Sequence, residues 1–266
     1  MSGEKRGKVI TFACRKGGVG KTSGVFNLAG TLDALGYKVL AMDFDGQCSL
    51  TRAESKNDSV EVVEGQDVWA LLKPEGADPV ELITKGENFD FVAGSRKADT
   101  AEKNVDSALA TFALNTALIE YREMYDFIII DTPPAAGTLI GLGISISDMV
   151  IVPIHMDDFG VDGIETPYEV VKELSRIKMR PTENMWILPN VVESRTRLDK
   201  QIRESLEENP EYKDLLLDFN IRKSTKVKET TSVGQPLVYY APKAAAMEDY
   251  TKLADFVIEN ASKEGK

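Results

Sequence analysis

The sequence predicts an α/β fold: a predominantly parallel, doubly wound sheet flanked by helices on both faces. Three observations carry this. Val9-Ile10-Thr11-Phe12-Ala13 is an apolar run that enters a glycine-rich turn, after which Val25, Leu28, Ala29, Leu32 and Leu35 recur at helical spacing. Phe127-Ile128-Ile129-Ile130 sets large apolar residues in succession, which suits a strand covered on both faces, as in a parallel sheet. Further apolar runs at 38–43, 89–94, 148–154 and 186–192 are separated by longer segments, several with helical patterning.

Length and composition fit this reading. The 266 residues suit a single α/β domain spanning the chain with a large core. No apolar stretch approaches the length of a membrane span, and the basic start, residues 1–8, is not followed by a secretory leader. Cys14 and Cys48 give neither a disulfide framework nor a paired metal motif, which fits a reducing cytoplasm. The net charge of −11 argues against a whole-surface polyanion binder. The charge is uneven, however: residues 219–228 hold Arg222, Lys223, Lys226 and Lys228 without an acid, whereas 204–218 hold six acids and one lysine. A local basic patch is therefore open to nucleic acid.

In chain order, the first strand runs into Arg15-Lys16-Gly17-Gly18-Val19-Gly20-Lys21-Thr22 and then a helix ending near Gly36. Strand, glycine turn and helix make the setting in which a phosphate-binding loop forms. Glycines let successive backbone N–H groups curl around an anion, Lys21 supplies charge to the outer phosphates, and the Thr22 hydroxyl suits magnesium. Residues 38–43 form a buried strand ending in acid and continuing Asp43-Phe44-Asp45-Gly46-Gln47. Acids there can serve a hydrated metal and an attacking water, or simply cap the next helix. A short helix is expected at Trp69–Leu72, a strand at Phe89–Gly94, and a long helix whose apolar positions are Val105, Leu109, Phe112, Leu114, Ala117, Leu118 and Tyr121. The strand before Asp131-Thr132-Pro133-Pro134 carries an acid at its tip, placed for the water ligands of magnesium. A strand over 148–154 follows. His155 comes after it with no nucleophile to pair with, and is not read as catalytic. A helix is expected over about 166–177 with Pro167 in its first turn, then a strand over 186–192 and a helix through Leu206. The last helix, about Ala244 to Glu259, is expected to pack Met247, Tyr250, Leu253, Ala254, Val257 and Ile258 on the sheet.

Lys-Gly-Gly-Val-Gly-Lys-Thr at 16–22 resembles the deviant Walker A loop of the ParA/MinD family of ATPases, with arginine at 15 where the general pattern has glycine. Asp-x-Asp-Gly-Gln at 43–47 resembles the family's second motif with Gly46 in place of proline, and Asp-Thr-Pro-Pro at 131–134 resembles its Walker B segment. Residues 157–163 resemble a segment in which glutamate and tyrosine usually replace Asp157 and Asp158. With the first strand opening at Val9, no helix-turn-helix domain is expected ahead of it, and the chain looks most like the short, Soj-like ParA proteins.

The resemblance implies ATP and Mg2+ as cofactors, with the nucleotide on Lys16, Gly17, Gly18, Val19, Gly20, Lys21, Thr22 and Ser23, and its adenine beside Asn190 and Ile221. It implies metal contacts from Thr22, Asp43 and Asp131, and catalytic roles for Asp45, orienting water, and for Lys16, reaching a partner's phosphates. It further implies an ATP-joined homodimer, non-specific DNA held by Arg195, Arg222 and Lys226, a ParB-type partner that triggers hydrolysis, and a nucleoid-associated cytoplasmic location. A MinD-like membrane role would need a basic amphipathic C-terminal helix, and the final helix is as acidic as it is basic. Cargo positioning by the same kind of ATPase stays open. The nitrogenase iron protein shares the loop but needs cluster-ligating cysteines, and Asp-Thr-Pro-Pro-Ala-Ala holds none.

Overall fold

The computed structural model describes residues 7–56, 58–73, 77–134, 137–156, 162–177, 184–193 and 197–261. Its strands are β1 (Lys8–Phe12), β2 (Val39–Asp43), β3 (Ile83–Thr84), β4 (Asp90–Val92), β5 (Phe127–Asp131), β6 (Met149–His155), β7 (Met185–Val192) and β8 (Ile221–Arg222). They form one sheet in the order β3-β4-β2-β5-β1-β6-β7-β8. Every pairing is parallel except β3 with β4 at the edge. The helices are α1 (Lys21–Ala34), α2 (Ser49–Glu54), α3 (Val68–Leu71), α4 (Ala101–Asn104), α5 (Ser107–Met124), α6 (Thr138–Ile146), α7 (Asp162–Arg176), α8 (Arg197–Glu208), α9 (Thr225–Val233), α10 (Leu237–Tyr240) and α11 (Ala246–Ala261). The expected fold class holds.

The core follows from the period of two along each strand. In β5, Phe127 and Ile129 join Ile10, Phe12, Ala41 and Ile151 beneath α1 and α11. Ile128 and Ile130 point the other way, joining Val9, Leu40 and Met42 beneath α5 and α6. A third cluster packs Val150, Val152 and Ile187 against Ile164 and Tyr168 of α7 and Ile202 of α8. Removing either layer of β5 would cost about 2–5 kcal/mol per Ile→Ala change. The apolar face of α11 packs as expected, with Tyr250, Leu253, Ala254 and Val257 all buried.

Two expected elements differ. On α5, Asp106 caps the N-terminus by accepting from the N–H groups of Ala108 and Leu109, so Val105 lies outside the helix. The core takes Ala110, Leu114, Ala117, Leu118 and Tyr121, while Leu109 is 50% and Phe112 73% exposed. The apolar positions wrap too far round the helix for one buried stripe to hold them all. On α7 the helix is already formed at Asp162, so Pro167 sits beyond the first turn. Its missing N–H leaves the Gly163 carbonyl without an intrahelical donor. The Cys14 thiol donates to that carbonyl at 3.6 Å, tying α7 to the residue just before the glycine loop.

Candidate functional site

Parallel register sets the site. Phe12 pairs with Asp131, and Asp131 with Asp43, so the ends of β1, β5 and β2 lie side by side beneath one rim of the sheet. The glycine loop leaves β1 at this rim and closes into α1. Gly18 and Gly20 take left-handed backbone angles, φ 75° and 87°. At Gly20 a second constraint acts, because a Cβ there would lie 2.4 Å from Asn190 Nδ2. That amide donates to the Val19 carbonyl at 2.7 Å, so Asn190 braces the loop from behind. Ile221, 1% exposed, lies in the core beside Leu188 and Leu217, and neither residue lines the open cleft.

Lys21 is buried and donates to the carbonyls of Cys14 and Lys16, at 3.1 and 3.2 Å. Burial lowers its pKa, opposed by the nearby Asp131. The Thr22 hydroxyl donates to Asp131 Oδ2 at 2.6 Å, while Asp131 Oδ1 is buried and has no hydrogen-bond partner among the described residues. Desolvation raises the pKa of Asp131 and the neighbouring Asp43 raises it further, with the Thr22 hydrogen bond and Lys21 opposing. Asp43 is raised chiefly by its own burial. Such a pair of carboxylates favours an added cation. An oxygen without a partner beside a threonine hydroxyl fits the water shell of magnesium, whose coordination keeps several waters. Among the described residues no group of three or more His, Cys, Asp or Glu is arranged to hold a metal directly.

The two acids of the second motif part company. Asp43 uses its oxygens inside the protein: Oδ2 accepts from the Thr51 N–H and hydroxyl at 2.9 and 2.7 Å, and Oδ1 from the Asp45 N–H at 3.2 Å. It therefore satisfies a first-turn donor of α2, the capping role left open by the sequence. Asp45 lines the cleft instead, its Oδ1 accepting from the Gln47 N–H at 2.9 Å. At Gly46 a Cβ would meet only the exposed Asp99 carboxylate, which can turn away, so the structure gives no steric reason for glycine in place of the family's proline.

The cleft, about 480 Å³, is lined by Gly17, Gly18, Gly20, Lys21, Thr22, Ser23, Asp45 and Pro134. Ser49, Arg52 and Lys56 of the α2 segment and Thr231 and Ser232 of α9 complete it. None of these last five was singled out from sequence, since only the packing of α2 against α9 brings them together. Lys16, half-buried, stands at the loop's entrance. Of the expected DNA contacts, Arg195 lies outside the described residues, as do residues 157–161 of the family-like segment. Arg222 is already paired: Nε and Nη2 donate to Asp249 at 2.7 and 2.8 Å, and Glu248 lies 3.4 Å away. Lys226 pairs with Glu229 and Lys223 with Glu193.

This loop, rim and acid arrangement is that of a nucleoside-triphosphatase, and the chain belongs to the AAA domain family, whose model matches residues 7–184. The expected kinship with the ParA/MinD ATPases, and with Soj-like ParA in particular, holds. The sporulation initiation inhibitor protein Soj of Bacillus subtilis is 27% identical over 96% of this chain and 99% of its own. The cell division protein PomZ of Myxococcus xanthus is also 27% identical, over 96% of this chain and 78% of its own. In fold, the chain is similar to a putative plasmid partition protein of Borrelia burgdorferi solved with AMPPNP, with a TM-score of 0.79 at 22% identity, over 96% and 100% of the two chains.

Proposed function

We propose that this chain is a magnesium-dependent ATP hydrolase of DNA partition, cycling between an ATP-joined, DNA-bound dimer and a released form. The observation that carries the reading is the buried Asp131 Oδ1, without a partner among the described residues, beside the Thr22 hydroxyl and Lys21 at the mouth of a glycine loop. Lys21 is the counter-charge for the outer phosphates, and leaves its two carbonyl partners to reach them. Thr22 and Asp131 hold magnesium, which when bound neutralises charge on those phosphates. Asp43 adds field while fixing α2, and Asp45 orients the attacking water. Lys16 acts across the dimer. The kinship with Soj supports DNA as the surface and a ParB-type protein as the trigger, in a cytoplasmic, nucleoid-associated setting.

Turnover with and without magnesium tests this. Lys21→Ala should lose nucleotide binding. Asp45→Ala should bind ATP and lose most of its turnover, by about 10²-fold or more, because water orientation matters mainly in the transition state. Normal turnover in Asp45→Ala would remove its assignment.

A second reading, positioning of a division or other cellular cargo by the same cycle, is favoured by the likeness to PomZ. A membrane-surface role for α11 has less support, since its apolar face is spent on the sheet. Among the described residues no helix is long and apolar enough to cross a membrane.

A further inference from the structure

Several cations of the described residues are paired with acids, as with Arg122 and Asp148, Arg222 and Asp249, Lys223 and Glu193, and Lys226 and Glu229. Two others stand out for where they lie. Among the described residues Arg52 and Lys56 make no ion pair, and both line the cleft that holds the glycine loop. Arg52 instead donates to the Gln47 carbonyl and, at 3.1 Å, to the Ser49 hydroxyl. Gln47 in turn donates its N–H to Asp45 Oδ1, and the Cys48 N–H donates to the Asp45 carbonyl at 2.8 Å. The guanidinium thus holds the turn that holds the Asp45 carboxylate.

We propose that Arg52, assisted by Lys56, is a phosphate-reading positioning residue that makes the placement of Asp45 depend on the last phosphate of the bound nucleotide. This rests on the nucleotide reading above and names its internal regulator. A guanidinium donates in a planar fork that matches phosphate oxygens, and a charged acceptor outcompetes a neutral carbonyl for it. With a triphosphate in the cleft, Arg52 exchanges the Gln47 carbonyl for a terminal phosphate oxygen while keeping the Ser49 hydroxyl, and so draws the Asp45 turn over the water. With a diphosphate the guanidinium stays on Gln47 and Asp45 is held back. Lys56 adds a point charge without the fork, so its share is smaller.

The test compares the full chain with Arg52→Gln, Arg52→Lys and Lys56→Gln. ADP and a non-hydrolysable ATP analogue are titrated by calorimetry in the presence of magnesium. Arg52→Gln should weaken the analogue about tenfold and ADP by less than about twofold, with Arg52→Lys intermediate and Lys56→Gln milder. At saturating ATP, Arg52→Gln should also lose turnover, and adding it to Asp45→Ala should lower turnover no further than Asp45→Ala alone, as expected of residues acting in one chain. Thermal melts establish that each variant is folded. Equal losses for both nucleotides, unchanged affinities, or additive losses with Asp45→Ala would each overturn the proposal. Failure of the parent chain to bind either nucleotide would overturn the nucleotide reading, and the proposal with it.

Discussion

Glu54 shows what burial does to one residue. It is 1% exposed, on α2, and accepts from the Asn88 side chain at 3.1 Å and the Asn88 N–H at 3.3 Å. Desolvation outweighs these bonds and pushes its pKa up to about 7 from an ordinary 4.5. The folded state therefore holds a proton that the unfolded chain has released between those values. The resulting stability is full below about pH 4.5 and is lost as pH rises through about 7, amounting to about 3 kcal/mol. Glu54→Gln should flatten this dependence. Chemical denaturation of both proteins from pH 5 to 8 measures it, and a stability difference that stays constant with pH would refute the assignment. Lys21, Thr22 and Asp131 were legible in sequence because their signature is local and chemically narrow. The bracing role of Asn190, 171 residues from Val19, was not, since no spacing rule links them.

At the scale of elements, the basic segment around β8 looked free in sequence and is not. Asp249, 4% exposed on α11, holds Arg222 through both oxygens and also accepts the Arg222 N–H at 3.0 Å. Neighbouring residues in the sequence suggested an acid-free patch, whereas the acids arrive from another helix 27 residues away. Arg222→Ala should therefore cost about 1–3 kcal/mol of stability by leaving a buried carboxylate with fewer donors. Any loss of DNA binding in that variant must be read beside its melting temperature. Lys226→Ala, removing an exposed pair, should be nearly neutral in stability. If the region holds DNA, Lys226→Ala should weaken binding to random duplex and lower the salt dependence by about one phosphate contact. A mobility assay across a salt series decides, and unchanged binding would place the contact elsewhere. The six strands announced by apolar runs were read well, whereas the two-residue β3 and β8, too short for such a run, were not. The buried face of α5 was read less well because its apolar residues exceed what one side can cover.

The whole molecule poses the question of the dimer. The cleft opens at the strand tips with Lys21 in its lining, and Lys16 stands half-buried at the start of the glycine loop. Two such faces brought together would bury both nucleotides and place each Lys16 near the other's phosphates. Lys16→Ala should then bind ATP as a monomer with near-normal affinity yet fail to associate. Sedimentation with a non-hydrolysable analogue is the measurement, and a full-strength dimer would remove the cross-dimer role. Linkage sets the scale: driving association from one part in a hundred to ninety-nine requires about 10⁴-fold preferential binding of ATP to the dimer.

The hydrogen bond from Asn190 to Val19 carries a kinetic consequence. β7, held in the sheet between β6 and β8, fixes the back of the loop, so the geometry at Gly20 is set by the protein before any anion arrives. Little chain ordering then remains to be done during capture. The first encounter should be a single step whose observed rate climbs linearly with nucleotide concentration, with no plateau from a preceding rearrangement. Asn190→Ala should introduce that plateau, turning a rigid receptor into one that must first find its shape.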